Sequence, residues 1–224
     1  MKTMRALPIA LAVFFLSTST MFAQDLSRYR DFSLGMHLAD VAKRIDKTPA
    51  DAKLVQQDPA VIQELTWWPM QSYQGSARVD PVEEAVFSFY NGALYKVAVS
   101  YDSTSTQGLT AADMTKALSA EYGVASRPVT KTGSTDNAGY SDIPETIALW
   151  QDAQYYVTLV RSSMSDDFQL VLSSKQMNSQ AETAIAAAAT QAVKDAPQIK
   201  IARAKKEAAD LEATRQANLK AFRP

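Results

Sequence analysis

His37 is the only histidine in a chain of 224 residues that contains no cysteine. A Ser-His-Asp triad or an imidazole metal site would have to be built on that one side chain. It falls where a helix N-cap is expected, a poor seat for the base of a triad. The lack of cysteine removes disulfides, a thiol nucleophile and thiolate metal sites. No Ser-x-x-Lys pair occurs, and the isolated glycines make no phosphate-binding loop. Carboxylates offer more. Glu83-Glu84, Asp102 and Asp166-Asp167 are candidates for the acid–base pair of a glycosidase, which needs two carboxyl groups about 5–9 Å apart. Neighbouring acids on a strand face opposite ways, and acids in turns are solvated, so the bland reading outweighs the catalytic one. Asp102-Ser103-Thr104-Ser105-Thr106 and Asp136-Asn137 lack the alternating acids and the glycine of a calcium loop. No catalytic residue, cofactor or metal is therefore assigned. A binding surface is the remaining option. Trp67 and Trp68 would face opposite sides of a strand, and Trp68-Pro69 with Tyr73 is a candidate platform for a sugar or peptide. Against it stands the reading that both tryptophans close the edge of the core.

The elements that would carry these residues can be read from periodicity. Leu38, Val41, Ala42 and Ile45 share one face of a helix predicted over Leu38–Lys47, with His37 and Asp40 in capping-box positions. Lys53–Gln56 reads as extended, and Ile62–Trp68 as a helical turn that becomes a strand. Glu84–Tyr101 reads as a hairpin. A two-residue Asn91-Gly92 turn without a bulge would put Lys96 in the core. A three-residue Tyr90-Asn91-Gly92 loop pairs Phe89 with Ala93. It then aligns Phe87, Phe89, Tyr95, Val97 and Val99 on one face, and this register is preferred. Thr110 and Asp113 form a capping box for a helix over Ala111–Tyr122, with Met114, Ala117, Leu118 and Tyr122 buried and Gly123 ending it. A polar loop spans Ser126 to Asp142. Thr146–Trp150, Tyr155–Arg161 and Phe168–Ser173 complete the strands, with Asp166-Asp167 in the last turn. The order of helix, strands, helix, strands predicts an α+β fold: two helix-plus-strands modules sharing one antiparallel sheet, with both helices on one face.

From Gln176 the chain becomes alanine-rich and strongly helix-forming, with Pro197 expected to kink or break the helix. Ile201, Ala204, Ala208, Leu211, Leu219 and Phe222 make a thin apolar seam, interrupted by Arg215 and Asn218. Charge divides the same way. From Lys194 onward eight Lys or Arg face four Asp or Glu, net +4, whereas residues 24–193 carry 13 basic and 20 acidic groups, net −7.

At the other end, Lys2 and Arg5 precede an apolar run from Ala6 to Leu16 and a polar stretch leading to Ala23. This reads as a signal peptide over residues 1–23, cleaved before Gln24. The run is short of the ~20 apolar residues that span a bilayer. The expected organisation is a signal over 1–23, a globular domain over 24–175 and a helical tail over 176–224. The expected compartment is a bacterial periplasm, with secretion as the alternative.

Phe32-Ser33-Leu34-Gly35-Met36-His37-Leu38-Ala39-Asp40-Val41 resembles the F-x-L-G-M-[ST]-x-x-x-V opening of small bacterial envelope domains. These are similar to the outer-membrane-assembly small lipoproteins and to the β-lactamase-inhibitor-protein-like fold. Phe89 to Val97, followed by Tyr101-Asp102, resembles a hairpin common in such exported proteins. His37 stands where those domains have Ser or Thr, and the lipoprotein cysteine is missing. The resemblance implies a fold that binds other proteins and rarely catalyses. The expected function is a non-catalytic interaction module whose partner is another envelope protein. The alternatives are a carboxylate-dependent hydrolase of cell-wall glycan and an envelope spacer acting through its helical tail. Export and the acidic body argue against nucleic acid. The basic tail leaves contact with an anionic lipid or wall polymer as a lesser option.

Overall fold

A computed structural model describes residues 24–70, 73–74, 77–78, 80–126, 145–162 and 167–223. The expected signal over 1–23, most of the Ser126–Asp142 loop and Asp166 lie outside the described residues. The chain opens with the short strands β1 (Arg28–Tyr29) and β2 (Phe32–Ser33), then α1 (Leu38–Arg44), a 3-10 turn (Pro49–Asp51), β3 (Lys53–Gln56) and β4 (Ile62–Trp67). A small hairpin, β5 (Tyr73–Gln74) with β6 (Ala77–Arg78), precedes β7 (Val82–Tyr90) and β8 (Ala93–Tyr101). Then follow α2 (Ala111–Tyr122), β9 (Glu145–Gln151), β10 (Tyr155–Arg161), β11 (Phe168–Ser174) and α3 (Lys175–Ala221).

Seven strands form one antiparallel sheet in the order β3-β4-β7-β8-β11-β10-β9. The first module supplies β3, β4, β7 and β8. The second supplies β9 to β11, and the two meet where β8 pairs with β11. The residues on one face of the sheet make a single core: Leu65, Phe87, Phe89, Val97, Val99, Val157, Leu159, Leu170 and Leu172 are all buried. Val41 and Ala42 of α1 and Met114 and Tyr122 of α2 close the same core, so both helices lie on one face. The fold is α+β, as the order of elements implies.

Local chemistry explains the boundaries. α2 has its capping box, with Thr110 Oγ1 accepting from the Asp113 N–H at 3.2 Å and the Asp113 carboxylate accepting from the Thr110 N–H at 2.9 Å. Its buried side holds Met114 and Tyr122 with Leu118 beside them, while Ala117 is exposed. α1 ends at Arg44, three residues before the predicted end. Asp46 takes a left-handed φ of +55°, and the Lys47 N–H returns to the Ala42 carbonyl at 2.8 Å. That closes the helix in the way a C-terminal left-handed residue does. His37 occupies the N-cap position but makes no side-chain cap. The first orphan N–H of α1, that of Leu38, is instead taken by the Gly92 carbonyl at 3.0 Å.

The β7–β8 hairpin differs from the expected register. Phe89 pairs with Leu94 and Tyr90 with Ala93, so the loop is the two residues Asn91-Gly92, at φ +48° and +82°. Two positive φ values in succession mark the turn whose twist matches a hairpin. The extra residue is Tyr95, because Ser88 pairs with Lys96. The bulge therefore lies inside β8 and not in the loop. Phe87, Phe89, Val97 and Val99 still share the core face, but Leu94 joins them and Tyr95 does not. Tyr95 turns to the opposite face, where it packs with Ile62 and with Ala181 of α3.

α3 also departs from expectation. It is one helix of 47 residues with Pro197 inside it. Proline costs one hydrogen bond, here from position 197 to the carbonyl at 193, and crowds that carbonyl. All residues from Ala189 to Arg223 are exposed, so nothing packed against the helix resists a local adjustment, and the alanine-rich flanks sustain it.

Candidate functional site

The aromatic candidates lie at and just beyond the end of β4. β4 alternates, so Trp67 turns to the core, its ring centroid 6.0 Å from that of Phe32. Trp68 turns outward and is 60% exposed. Lys47 Nζ lies 5.1 Å from the Trp68 ring centroid and donates to the Thr66 carbonyl at 2.8 Å. Tyr73 belongs to β5, paired with Arg78 in the small hairpin, and its side chain lies outside the described residues. The expected platform of Trp68, Pro69 and Tyr73 therefore includes a side chain outside the described residues.

Some of the carboxylates do converge. Glu83, Glu84 and Asp167 line one cleft of about 320 Å³, with Ser100, Tyr101, Gln169 and the apolar Val160 and Phe168. The β7 bulge between Val82 and Glu84 is what turns two successive acids towards the same space. Among the described residues neither Trp67 nor Trp68 lines it, and no Lys, Arg or His does. Asp102 is engaged locally, its Oδ2 accepting from the N–H and hydroxyl of Ser105, both at 2.8 Å. His37 is exposed. Among the described residues no group of three or more His, Cys, Asp or Glu is placed to hold a metal ion.

The largest feature is one that single-strand patterns did not reveal: the face of the sheet opposite α1 and α2. Register places Thr66, Val86, Ala98, Val171, Thr158 and Leu149 side by side across six strands. At about 4.8 Å per strand this row runs some 24 Å. All six are only half-buried, and nothing in the chain's described residues covers them. A second row, Glu84, Ser100, Gln169, Val160 and Thr146, borders it on the side of the acidic cleft. The Gln169 amide donates to Ser100 Oγ at 3.3 Å within that row.

The opposite border belongs to α3. Its first turns bring Met177 and Ala181 onto Ile62, Tyr90 and Tyr95, and Ala184 is also buried. Between α3 and the open row lie Glu64, Ser88, Lys96, Ser173 and Tyr156. Ser88 and Ser173 are fully buried there, and neither hydroxyl meets hydrogen-bond geometry with a partner. The Tyr95 phenol is pushed up in pKa, first by burial and then by the negative charge of Glu64, with the nearby Ser88 hydroxyl pulling the other way. The sheet face is thus half closed by a helix and half open.

Beyond Ala188 the helix leaves the body. The stretch from Ala189 to Ala221 is exposed throughout and extends about 50 Å at 1.5 Å per residue. It is supported by local pairs such as Arg203–Glu207 at 2.9 Å and Arg215–Glu212 at 2.8 Å, each worth a few tenths of a kcal/mol on a helix. No helix among the described residues is long and apolar enough to cross a membrane.

No protein-family model matches the chain, and neither does any curated protein or any solved structure. The entry to α1 and the tip of the β7–β8 hairpin are in contact. The Gly35 N–H donates to the Leu94 carbonyl at 2.7 Å, and the Leu94 N–H to the Met36 carbonyl at 2.8 Å. Together with the bond from Leu38 to Gly92 they clamp the entry to α1 onto the tip of the hairpin.

Proposed function

We propose that the chain is a non-catalytic, exported protein of the bacterial envelope, acting in the periplasm as a protein-interaction module. Its binding surface is the open half of the sheet. The observation that carries this reading is the half-buried row from Thr66 to Leu149, which has Val86, Ala98, Val171 and Leu149 on a face that no helix among the described residues covers. Strands with apolar residues on both faces are the mark of a sheet covered on both sides. The contact between the two envelope-domain motifs supports the same reading, since those domains bind other proteins. In this view α1 and α2 make the domain fold, and the open face does its work. The test is a photo-crosslinking residue placed at Val171, with Ala120 on the exposed side of α2 as control. Position 171 is expected to crosslink to protein in the living cell's envelope and position 120 is not. Equal yields at both positions would refute the reading.

A second reading rests on the cleft that gathers Glu83, Glu84 and Asp167, a carboxylate-dependent hydrolase of wall glycan. Release of reducing ends from purified glycan, lost in Glu84→Gln, would favour it over the binding module.

A further inference from the structure

We propose that the open sheet face receives the basic end of α3 from a second copy of the chain, so that molecules associate head to tail. This rests on the reading of that face as a docking surface and names its occupant. The argument is one of complementary charge. Residues 24–193 carry net −7, and the chain from Lys194 onward carries net +4. Locally the match is closer. The border of the open face holds Glu83, Glu84 and Asp167 beside the half-buried Val160. The end of α3 presents Lys220 and Arg223 beside Leu219 and Phe222, which are 58% and 74% exposed. Each surface therefore pairs charge with an apolar side chain that is not fully buried, and the signs are opposite.

A chain's own tail cannot make this contact. α3 leaves the body after Ala188 and continues as one helix to Ala221, which puts its end about 50 Å beyond the last packed turn. Folding it back would break the helix. A second copy faces no such cost. The two surfaces are different patches of the molecule, so the contact is heterologous and propagates into a chain of copies or closes into a ring. Association driven by opposite charge is fast and weakens as salt rises.

The experiment is sedimentation velocity on the mature chain from Gln24, across a concentration series at low and at high salt. It compares wild type with a face variant (Glu83→Lys with Glu84→Lys) and a tail variant (Lys220→Glu with Arg223→Glu), each checked for native circular dichroism. Wild type is expected to form species heavier than the monomer that salt dissolves. Each variant alone is expected to need at least about tenfold more protein to associate, the size of effect that close charge pairs carry. Mixing the two variants restores opposite signs and is expected to restore association. A wild type that stays monomeric at low salt, association that survives either reversal, or a mixture that fails to recover overturns the proposal. Crosslinking at Val171 separates this failure from that of the wider reading. A monomeric protein that still captures a different polypeptide at Val171 sinks the head-to-tail contact and leaves the docking face standing.

Discussion

Raising the pH should unfold this protein before three of its tyrosines can ionise. Tyr29, Tyr101 and Tyr122 are 6%, 9% and 5% exposed and lie within reach of one another's charge, beside the Arg30–Asp80 ion pair. Burial pushes the Tyr101 phenol from 10.0 up to about 12; the Arg30 charge opposes that shift and the Asp80 charge adds to it. Tyr29 and Tyr122 move further in the same direction, again chiefly through burial. A phenol is neutral when protonated, so a raised folded pKa means the native state holds its proton longer than the unfolded chain. The stability is complete below pH 10 and is lost as pH rises from 10 towards 12. At about 1.4 kcal/mol per unit, Tyr101 alone removes on the order of 3 kcal/mol. The other two add more, against a total stability of typically about 5–15 kcal/mol. The assay follows phenolate absorbance and far-ultraviolet circular dichroism together as pH rises. The nine tyrosines should split into an early group that titrates reversibly near pH 10 and a late group whose ionisation coincides with loss of secondary structure. Tyr101→Phe should shift that unfolding to higher pH. A single titration of all tyrosines near pH 10 with native circular dichroism would refute the reasoning.

Three further outcomes follow from the packing. Thr110→Ala removes the acceptor for the Asp113 N–H and is expected to cost about 1 kcal/mol in thermal or denaturant unfolding; the Asp113 carboxyl, held below its usual range first by the Thr110 hydroxyl and then by the Thr110 N–H, contributes its stabilisation above pH 3.8 and loses it as pH falls through its folded value, so Thr110→Ala should also flatten the acid limb of the stability curve. Ending the chain after Gln191 should leave the unfolding midpoint of the body unchanged, whereas ending it after Gln176 uncovers Ile62 and Tyr95 and should cost about 2 kcal/mol or more. Pro197→Ala should favour the distal helix by about 3 kcal/mol, read as slower amide exchange around residues 190–200, without moving the midpoint of the body.

Where local chemistry decided the outcome, the sequence was a sufficient guide. Thr110, Asp113 and Gly123 bound α2 because caps act over three or four residues, and the α+β order of the larger elements follows from periodicity, whereas the short β1–β2 and β5–β6 pairings do not. The hairpin shows the boundary of that method. A bulge in the loop and a bulge at Tyr95 give Phe87, Phe89, Val97 and Val99 the same face; they differ only in which of Leu94 and Tyr95 points inward. That choice depends on whether the far face offers Tyr95 an apolar partner. The partner is Ala181 of α3, more than eighty residues away, which no window of the hairpin contains. His37 is a similar case, since the carbonyl that satisfies the start of α1 comes from Gly92. The open row was hidden for the same reason: it exists only once β8 has paired with β11. A signal was present in Val157-Thr158-Leu159-Val160, interrupted only by Thr158, and in the apolar run Leu170-Val171-Leu172, which suit strands with two covered faces better than strands with one. The side chains of Tyr73 and Asp166 lie outside the described residues.

The two uncovered surfaces of this molecule have a common origin in how α3 is held. Only its first turns are packed, through Met177, Ala181 and Ala184, and small residues there let the helix lie close to the sheet. The same small residues give it little reach, so α3 covers one end of the face and leaves the row from Thr66 to Leu149 open. Past Ala188 its helicity rests on alanine and on local charge pairs, which suffice for a helix in water but bury nothing. Val193, Ile201, Leu211, Leu219 and Phe222 consequently stay 58–75% exposed. Isolated apolar residues on a surface need no explanation, but a row across six strands is a different matter, because its area is contiguous. The open face is bordered by acids and the free helix carries the excess of bases, so each leaves the other's counterpart unfilled. A spacer helix would need neither the open row nor the sign of its charge. Association through both surfaces needs both, and the salt dependence of that association is the property that tells the two apart.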